Sequence, residues 1–298
     1  MNRIKSVIHM GKCQLTGKGI GVAILDTGIY PHPDFENRIV AFRDFVGRQT
    51  APYDDNSHGT HIAGVIGARS KSTMGRLNGV APGCHLIVGK VLDQKGNGTV
   101  ANVLSGLRWV RAYREEYNIR VLNISIGSAC KPGTDETSTL VRGVDAAWDA
   151  GLVVVVAAGN GGPLPMSITT PGISRKVITV GCSDDHQCVE VGGKRIVDYS
   201  GRGPTAACVC KPDLVAPGSQ ILSCLANVKA GQFLYTRKSG TSMATPIVSG
   251  AVALLLEQEP HLTNLEVKLR LFGACDDMGV DQNRQGHGRI NVEKLLCR

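Results

Sequence analysis

No stretch of this 298-residue chain reaches the ~18 consecutive apolar residues that a membrane-spanning helix needs. The longest apolar run, 151–159, has the length of a buried strand. The basic N-terminus, Met1-Asn2-Arg3-Ile4-Lys5, does not lead into a secretory leader, because its apolar stretch stops at Gly11-Lys12. These absences predict a cytoplasmic protein without a membrane partner; export without a recognisable leader is the alternative. Aromatic residues make up only 4%, too few for a base-stacking platform. Lys and Arg outnumber Asp and Glu by 33 to 25, but they are dispersed, so the net charge of +8 reads as a basic solvated surface. A nucleic-acid partner would want them clustered on one face. There is no internal repeat, low-complexity tract or charged linker, and nothing specifies an oligomeric state.

What is present is enough apolar residue, 42%, for a sizeable core, with a mean hydropathy of −0.01. Glycine is abundant at 37 residues, which points to tight turns and close backbone approaches. The ten cysteines are expected to stay reduced, as small buried hydrophobes. Neither Cys182/Cys188 nor Cys208/Cys210 has zinc-ribbon spacing. Short Val/Ile-rich runs at Val22–Asp26, Leu86–Val91, Val121–Ser125, Leu152–Ala157 and Val177–Val180 predict strands buried on both faces. Helical periodicity lies between and after them, over Thr99–Tyr113, Leu140–Ala150, Met243–Leu256 and from Thr263, where Thr263 and Glu266 form a capping box. This alternation predicts a single α/β domain: a mostly parallel, twisted sheet with helices on both faces.

In such sheets functional groups gather beyond the C-terminal ends of the strands. Asp26-Thr27-Gly28, Ser125-Ile126-Gly127 and Gly159-Asn160-Gly161 each follow an apolar run. Asp-Thr-Gly is also the aspartic-protease signature. That chemistry needs two carboxylates sharing a proton, and no second copy exists here, so a symmetric dimer would be required. A plain structural Asp at a strand end is the other reading. His58 lies in Ser57-His58-Gly59-Thr60-His61, where Ser57 can cap a helix. His58 and His61 lack the Glu and the spacing of a zincin helix, so each alone reads as structural. Ser242 precedes Pro246, whose fit in a helix's first turn places Ser242 at the helix N-terminus, beside outward-facing amides. A lone serine there is ordinarily an N-cap.

The order of these blocks changes their weight. Asp26-Thr27-Gly28, His58-Gly59-Thr60-His61, Ala157-Ala158-Gly159-Asn160 and Gly240-Thr241-Ser242-Met243-Ala244 resemble the four signature blocks of the subtilisin-like serine proteases, peptidase family S8. The similarity runs from about Gly17 to the C-terminus and includes Gly79-Val80-Ala81-Pro82 and Lys211–Gly218. It looks most like the intracellular bacterial branch. The resemblance implies residues 17–298 as the peptidase domain and 1–16 as a short arm. It implies Ser242 as nucleophile, His58 as base, Asp26 as its partner and Asn160 as oxyanion donor. Gly96-Asn97-Gly98 and Ser125-Ile126-Gly127 would hold an extended protein or peptide substrate between them. Ala157-Ala158-Gly159 would line an apolar P1 pocket, with Thr169 at its floor where relatives often have Gly. His61 would be structural.

Two features depart from that pattern. Secreted relatives carry a long propeptide, whereas about twenty residues precede the first strand here, so removal of a folded prodomain is not expected. Relatives often bind calcium in the loop corresponding to 69–78, but that loop has no carboxylate and three cations, a poor match to a hard cation. No cofactor is required on this reading. Calcium rests on Asp34 alone, which occupies the position of a remote ligand.

Overall fold

The computed structural model describes residues 1–11, 13–70, 73–127, 137–191, 193–227 and 233–297. In chain order the elements are α1 (Asn2–Val7), β1 (Gly21–Asp26), a 3-10 segment (Pro33–Arg38), β2 (Ile39–Asp44), α2 (His58–Gly67), β3 (His85–Lys90), α3 (Val100–Ala112) and β4 (Ile119–Ile124). There follow α4 (Thr139–Asp149), β5 (Val153–Ala157), β6 (Ile178–Cys182), β7 (Val189–Val191), β8 (Lys194–Ile196), β9 (Leu214–Ala216), β10 (Ile221–Cys224) and β11 (Tyr235–Lys238). The chain closes with α5 (Thr241–Gln258), α6 (Asn264–Gly273), β12 (Cys275–Asp276), α7 (Gln282–Gln285), β13 (Arg289–Ile290) and α8 (Val292–Leu296).

Nine strands form one sheet in the order β12-β13-β9-β6-β5-β4-β1-β3-β2, and every pairing except β12–β13 is parallel. The strands predicted from continuous apolar runs are its centre. β1, β5 and β6 are buried at every position, because helices cover both faces and leave no solvated side. α2 and α5 pack on each other; α3 and α4 form a second pair. The edge strand β2 escaped prediction because its residues are mostly half-buried and mix apolar with charged side chains. α1 and the residues after it, in the segment expected as an arm, contribute Met1, Ile4, Ile8 and Met10 to the same core as the sheet.

Two local expectations are corrected. Pro246 is not in the first turn of α5: the helix starts at Thr241, so the proline is its sixth residue. It therefore cannot donate to the Ser242 carbonyl four residues back. α5 tolerates this because its second turn lies inside the core, where Ala244 to Leu256 are buried without exception. The cysteines are also not all buried. Nine are free thiols among the described residues, and Cys188, Cys208, Cys210 and Cys297 are exposed; Cys130 lies outside the described residues. The α6 capping box is as expected: the Thr263 hydroxyl accepts the Glu266 N–H at 3.2 Å, and Glu266 accepts the Thr263 N–H at 2.7 Å.

The chain runs from β1 to β3 on one side and reaches β4 on the other. The crevice where strand order reverses opens beyond the C-terminal ends of β1 and β4.

Candidate active site

Asp26 ends β1 in complete burial. Its Oδ1 accepts the Thr27 N–H at 2.7 Å and lies 2.8 Å from Nδ1 of His58, the first residue of α2. A carboxylate oxygen can only accept, so Nδ1 carries the proton and the Nε2 lone pair is left free. The position of His58 is set by packing that excludes a Cβ. A side chain on Gly59 would meet the Gly28 carbonyl at 2.1 Å, and one on Gly28 (φ +121°) would meet the Tyr53 carbonyl at 2.1 Å.

A buried carboxylate, Asp54, locks this corner and was not anticipated from the sequence. It accepts the Thr27 hydroxyl (2.9 Å), the Ser57 N–H (2.8 Å), and both the N–H and hydroxyl of Thr60 (2.8 and 2.6 Å). Burial alone would push its carboxyl upward. The Thr60 hydroxyl and the N–H groups of Thr60, Ser57 and Asn56 outweigh that and hold it below the ordinary carboxylate value. Thr27 completes the lock by accepting the Gly59 N–H at 2.9 Å. Ser57 is the N-cap of α2 by position, but it sits at φ +79° and makes no capping bond. Its hydroxyl instead accepts the Ala226 N–H, and Asn56 Oδ1 takes the His58 N–H.

Beside Asp26, at the paired position of β3, is Lys90, with a side chain only 1% exposed. It donates to the carbonyls of Thr27 (2.7 Å) and Leu92 (2.9 Å) and to Asp55 (2.6 Å). His61 is buried, with Nε2 3.0 Å from the Ile221 carbonyl. Burial, then the nearby Lys238 charge, lowers its pKa to about 3, so it stays neutral.

Ser242 is the second residue of α5. Its hydroxyl donates to the Ser125 carbonyl at 2.9 Å, so in this rotamer its single proton is not shared with His58. Asn160 faces it from the loop after β5. Asn160 Oδ1 accepts the Thr241 N–H at 2.9 Å and the Thr241 hydroxyl at 3.2 Å. That fixes the amide orientation by chemistry, because an N–H must meet the oxygen, and it leaves Nδ2 as the cleft-facing donor. Thr241 sits inside the serine block, but nothing in the sequence marks it as the group that orients Asn160.

These groups meet at a cleft of about 370 Å³. His58, Asn160 and Ser242 line it together with Gly96, Ser125-Ile126-Gly127, Ala157 and Gly159. Thr169 also lines it, wedged between two glycines. A Cβ on Gly127 would come within 2.5 Å of Thr169 Oγ1, and one on Gly159 within 2.4 Å of Thr169 Cγ2. Asn97, Gly98 and Ala158 are not on this wall. The Asn97 N–H and carbonyl are spent on Asp93 in a turn, Gly98 abuts Leu92, and the Ala158 carbonyl accepts Thr169. Asn56, Leu92 and Lys95 line the cleft although the sequence did not single them out.

Asp34, the calcium candidate, already has protein partners. It is buried, its carboxylate accepts the Tyr235 hydroxyl at 2.9 Å, and its carbonyl accepts the Arg69 N–H. The described residues of 69–78 add no carboxylate. Asp34 does approach His32 and Cys224 closely enough to share an ion. Both His32 ring nitrogens are already engaged, however, by the Asp34 N–H and the Leu234 carbonyl. Burial pushes the Cys224 thiol well above its usual value, away from the thiolate a metal needs. Among the described residues, no helix is long and apolar enough to cross a membrane.

Comparison with known proteins agrees with this geometry. The subtilase family model (peptidase S8) matches residues 17–288. The chain is 43% identical to serine protease AprX of Bacillus subtilis (strain 168), over 98% of this chain and 69% of that protein. It is 35% identical to subtilisin Savinase of Lederbergia lenta, over 94% of this chain and 91% of that protein. Among solved structures, the S41 psychrophilic protease superposes with a TM-score of 0.80 at 30% identity, covering 97% of each chain. A nine-stranded, mostly parallel sheet with this cleft at its switch point, matched along nearly its whole length, places the chain in the subtilase family: it is a subtilisin-like serine protease.

Proposed function

We propose that the chain is an endopeptidase acting through an acyl-enzyme formed on Ser242. A turn of χ1 carries the Ser242 hydroxyl from the Ser125 carbonyl to the free Nε2 of His58. His58 takes the proton as Oγ attacks the scissile carbonyl, and Asp26 stabilises the resulting imidazolium. The tetrahedral oxyanion is met by Asn160 Nδ2 and by backbone N–H at the start of α5. His58 then returns the proton to the leaving amine, and water repeats the sequence to release the acid. The backbone of Ser125–Gly127, with Gly96 on the facing wall, holds the substrate as an added strand, so affinity demands little of its sequence. The P1 pocket beside Thr169 takes apolar side chains of moderate size. No metal enters any step.

The observation that carries this reading is the 2.8 Å contact of His58 Nδ1 with a fully buried Asp26, beside a serine hydroxyl at a helix start in one cleft. The direct experiment is labelling by a fluorophosphonate probe alongside hydrolysis of a peptide library. Ser242→Ala should abolish labelling and cut turnover by about 10⁶-fold while the circular dichroism spectrum stays unchanged. Labelling that survives Ser242→Ala would move the nucleophile elsewhere.

A further inference from the structure

A second cavity, about 600 Å³, adjoins the catalytic groups from the other side. It shares His58, Asn160 and Ser242 with the cleft above but none of the segments that hold the acyl half of a substrate. If the acyl half lies along Ser125–Gly127, the departing amine must leave towards this cavity, since it takes its proton from His58. It is lined by Arg237, Lys238 and Ser239 at the end of β11 and by Glu190 and Gly193 of the β7–β8 hairpin.

The charges here are unequal. Lys238 is half-buried, and its ammonium has neither an ion pair nor a hydrogen-bond acceptor among the described residues. Burial depresses its pKa, and Asp54 and Asp26 pull against that from beneath. Arg237 is exposed and donates to the Gln220 carbonyl at 3.0 Å, which holds a second cation at the rim. The carboxylate in this lining, Glu190, is exposed and sits across the hairpin from Arg195. A desolvated, unpaired ammonium gains most from an incoming carboxylate, because the desolvation is already present before binding.

We infer that this cavity selects an acidic side chain on the residue just after the scissile bond, with Lys238 as the specificity-determining residue. The inference rests on the endopeptidase reading. Glutamate reaches Lys238 when the amine side of the substrate lies over Met243 and Ser239. A lysine in the same place would face Lys238 and Arg237 together, and among the described lining residues Glu190, which is exposed, is the carboxylate that offsets them.

The test uses internally quenched peptides identical except for Glu, Gln or Lys at P1′, and compares kcat/KM. The native enzyme should favour Glu over Lys by about tenfold at low salt, and the ratio should shrink in 1 M NaCl. Lys238→Glu should reverse the order, Lys238→Met should bring the ratio close to one, and Glu190→Gln should raise it. A native ratio within about twofold of one, or a ratio unmoved by Lys238→Glu, overturns the inference while leaving the endopeptidase intact. If no peptide is cut and no fluorophosphonate bound, the endopeptidase reading itself falls, and the inference with it.

Discussion

The two sides of the catalytic cleft are built from different materials. On the side of Asp26 and His58, ions are buried. Asp26, Asp54 and Lys90 lie within 1% exposure and are held by backbone N–H groups, hydroxyls and carbonyls. On the side of Asn160 and Ser242, the contacts among the described residues are neutral: Thr241 to Asn160, Ser242 to Ser125, Thr169 between two glycines. The difference matches the two tasks that the proposed mechanism sets. A base must keep one tautomer and one orientation, and a fixed buried carboxylate achieves that at a cost in desolvation. Transition-state donors must instead stay unspent and accessible until the substrate arrives, so they are oriented by groups that occupy only their other end.

The sharpest way to break the comparison is to neutralise the charged side while keeping its shape. Asp26→Asn offers His58 an amide in place of an acceptor-only oxygen, which allows the wrong tautomer. Turnover should fall by about 10⁴-fold with the urea midpoint little changed. A loss below tenfold would mean that Asp26 does not govern His58. On the neutral side, Asn160→Ala should lower kcat by about 10²–10³-fold and leave KM nearly untouched, because the lost bond forms only in the transition state. A purely raised KM would assign Asn160 to ground-state binding.

Asp54 separates stability from chemistry. Asp54→Ala leaves the Thr27 and Thr60 hydroxyls and several N–H groups without an acceptor, and should destabilise the fold by about 3 kcal/mol in urea titration. Its depressed pKa also fixes a direction. The ionised form is favoured in the native state, so its stabilisation is full above the unfolded-state value of ~3.9 and is lost as pH falls through the lower native value. The native protein should therefore lose stability on acidification below about pH 4, and Asp54→Asn should flatten that slope. An unchanged acid slope in the variant would assign the loss to other carboxylates. The mildest expected effect is Thr169→Gly. Removing this side chain opens the space between Gly127 and Gly159 and should improve cleavage after Phe or Tyr relative to Leu by about tenfold, measured as a ratio of kcat/KM.

The sequence was most informative where residue type and backbone demand coincide. Asp26, His58, Asn160 and Ser242 stand in glycine-containing blocks, those of Asp26 and Asn160 after apolar runs, and the structure brings all four to one crevice. The central strands were equally legible, since only continuous Val/Ile runs survive burial on both faces. Groups that act through other groups left no pattern. Asp54 reads as one loop carboxylate among several; its five hydrogen bonds become visible only when α2 starts beside it. Lys90 lies unremarked inside the predicted strand Leu86–Val91, and its burial follows from the carbonyls of Thr27 and Leu92 converging on it. The Pro246 expectation failed for a related reason. Proline is disfavoured in a helix interior because of the bond it removes, but α5 offsets that loss with core packing that a local rule does not see.

The order in which these parts emerge during synthesis has its own consequence. His58 meets Asp26 across 32 residues, while the Ser242 hydroxyl bonds a carbonyl 117 residues earlier in the chain. A growing chain thus holds His58 and Asp26, the base and carboxylate of the proposed mechanism, long before it holds Ser242. At ~5–20 residues per second, the ribosome keeps the two apart for many seconds. The nucleophile then arrives on the helix that the sheet must close around, so hydrolytic power appears only when the core is nearly complete. On the proposed mechanism a partly made copy lacks its nucleophile, and that timing comes from chain order alone.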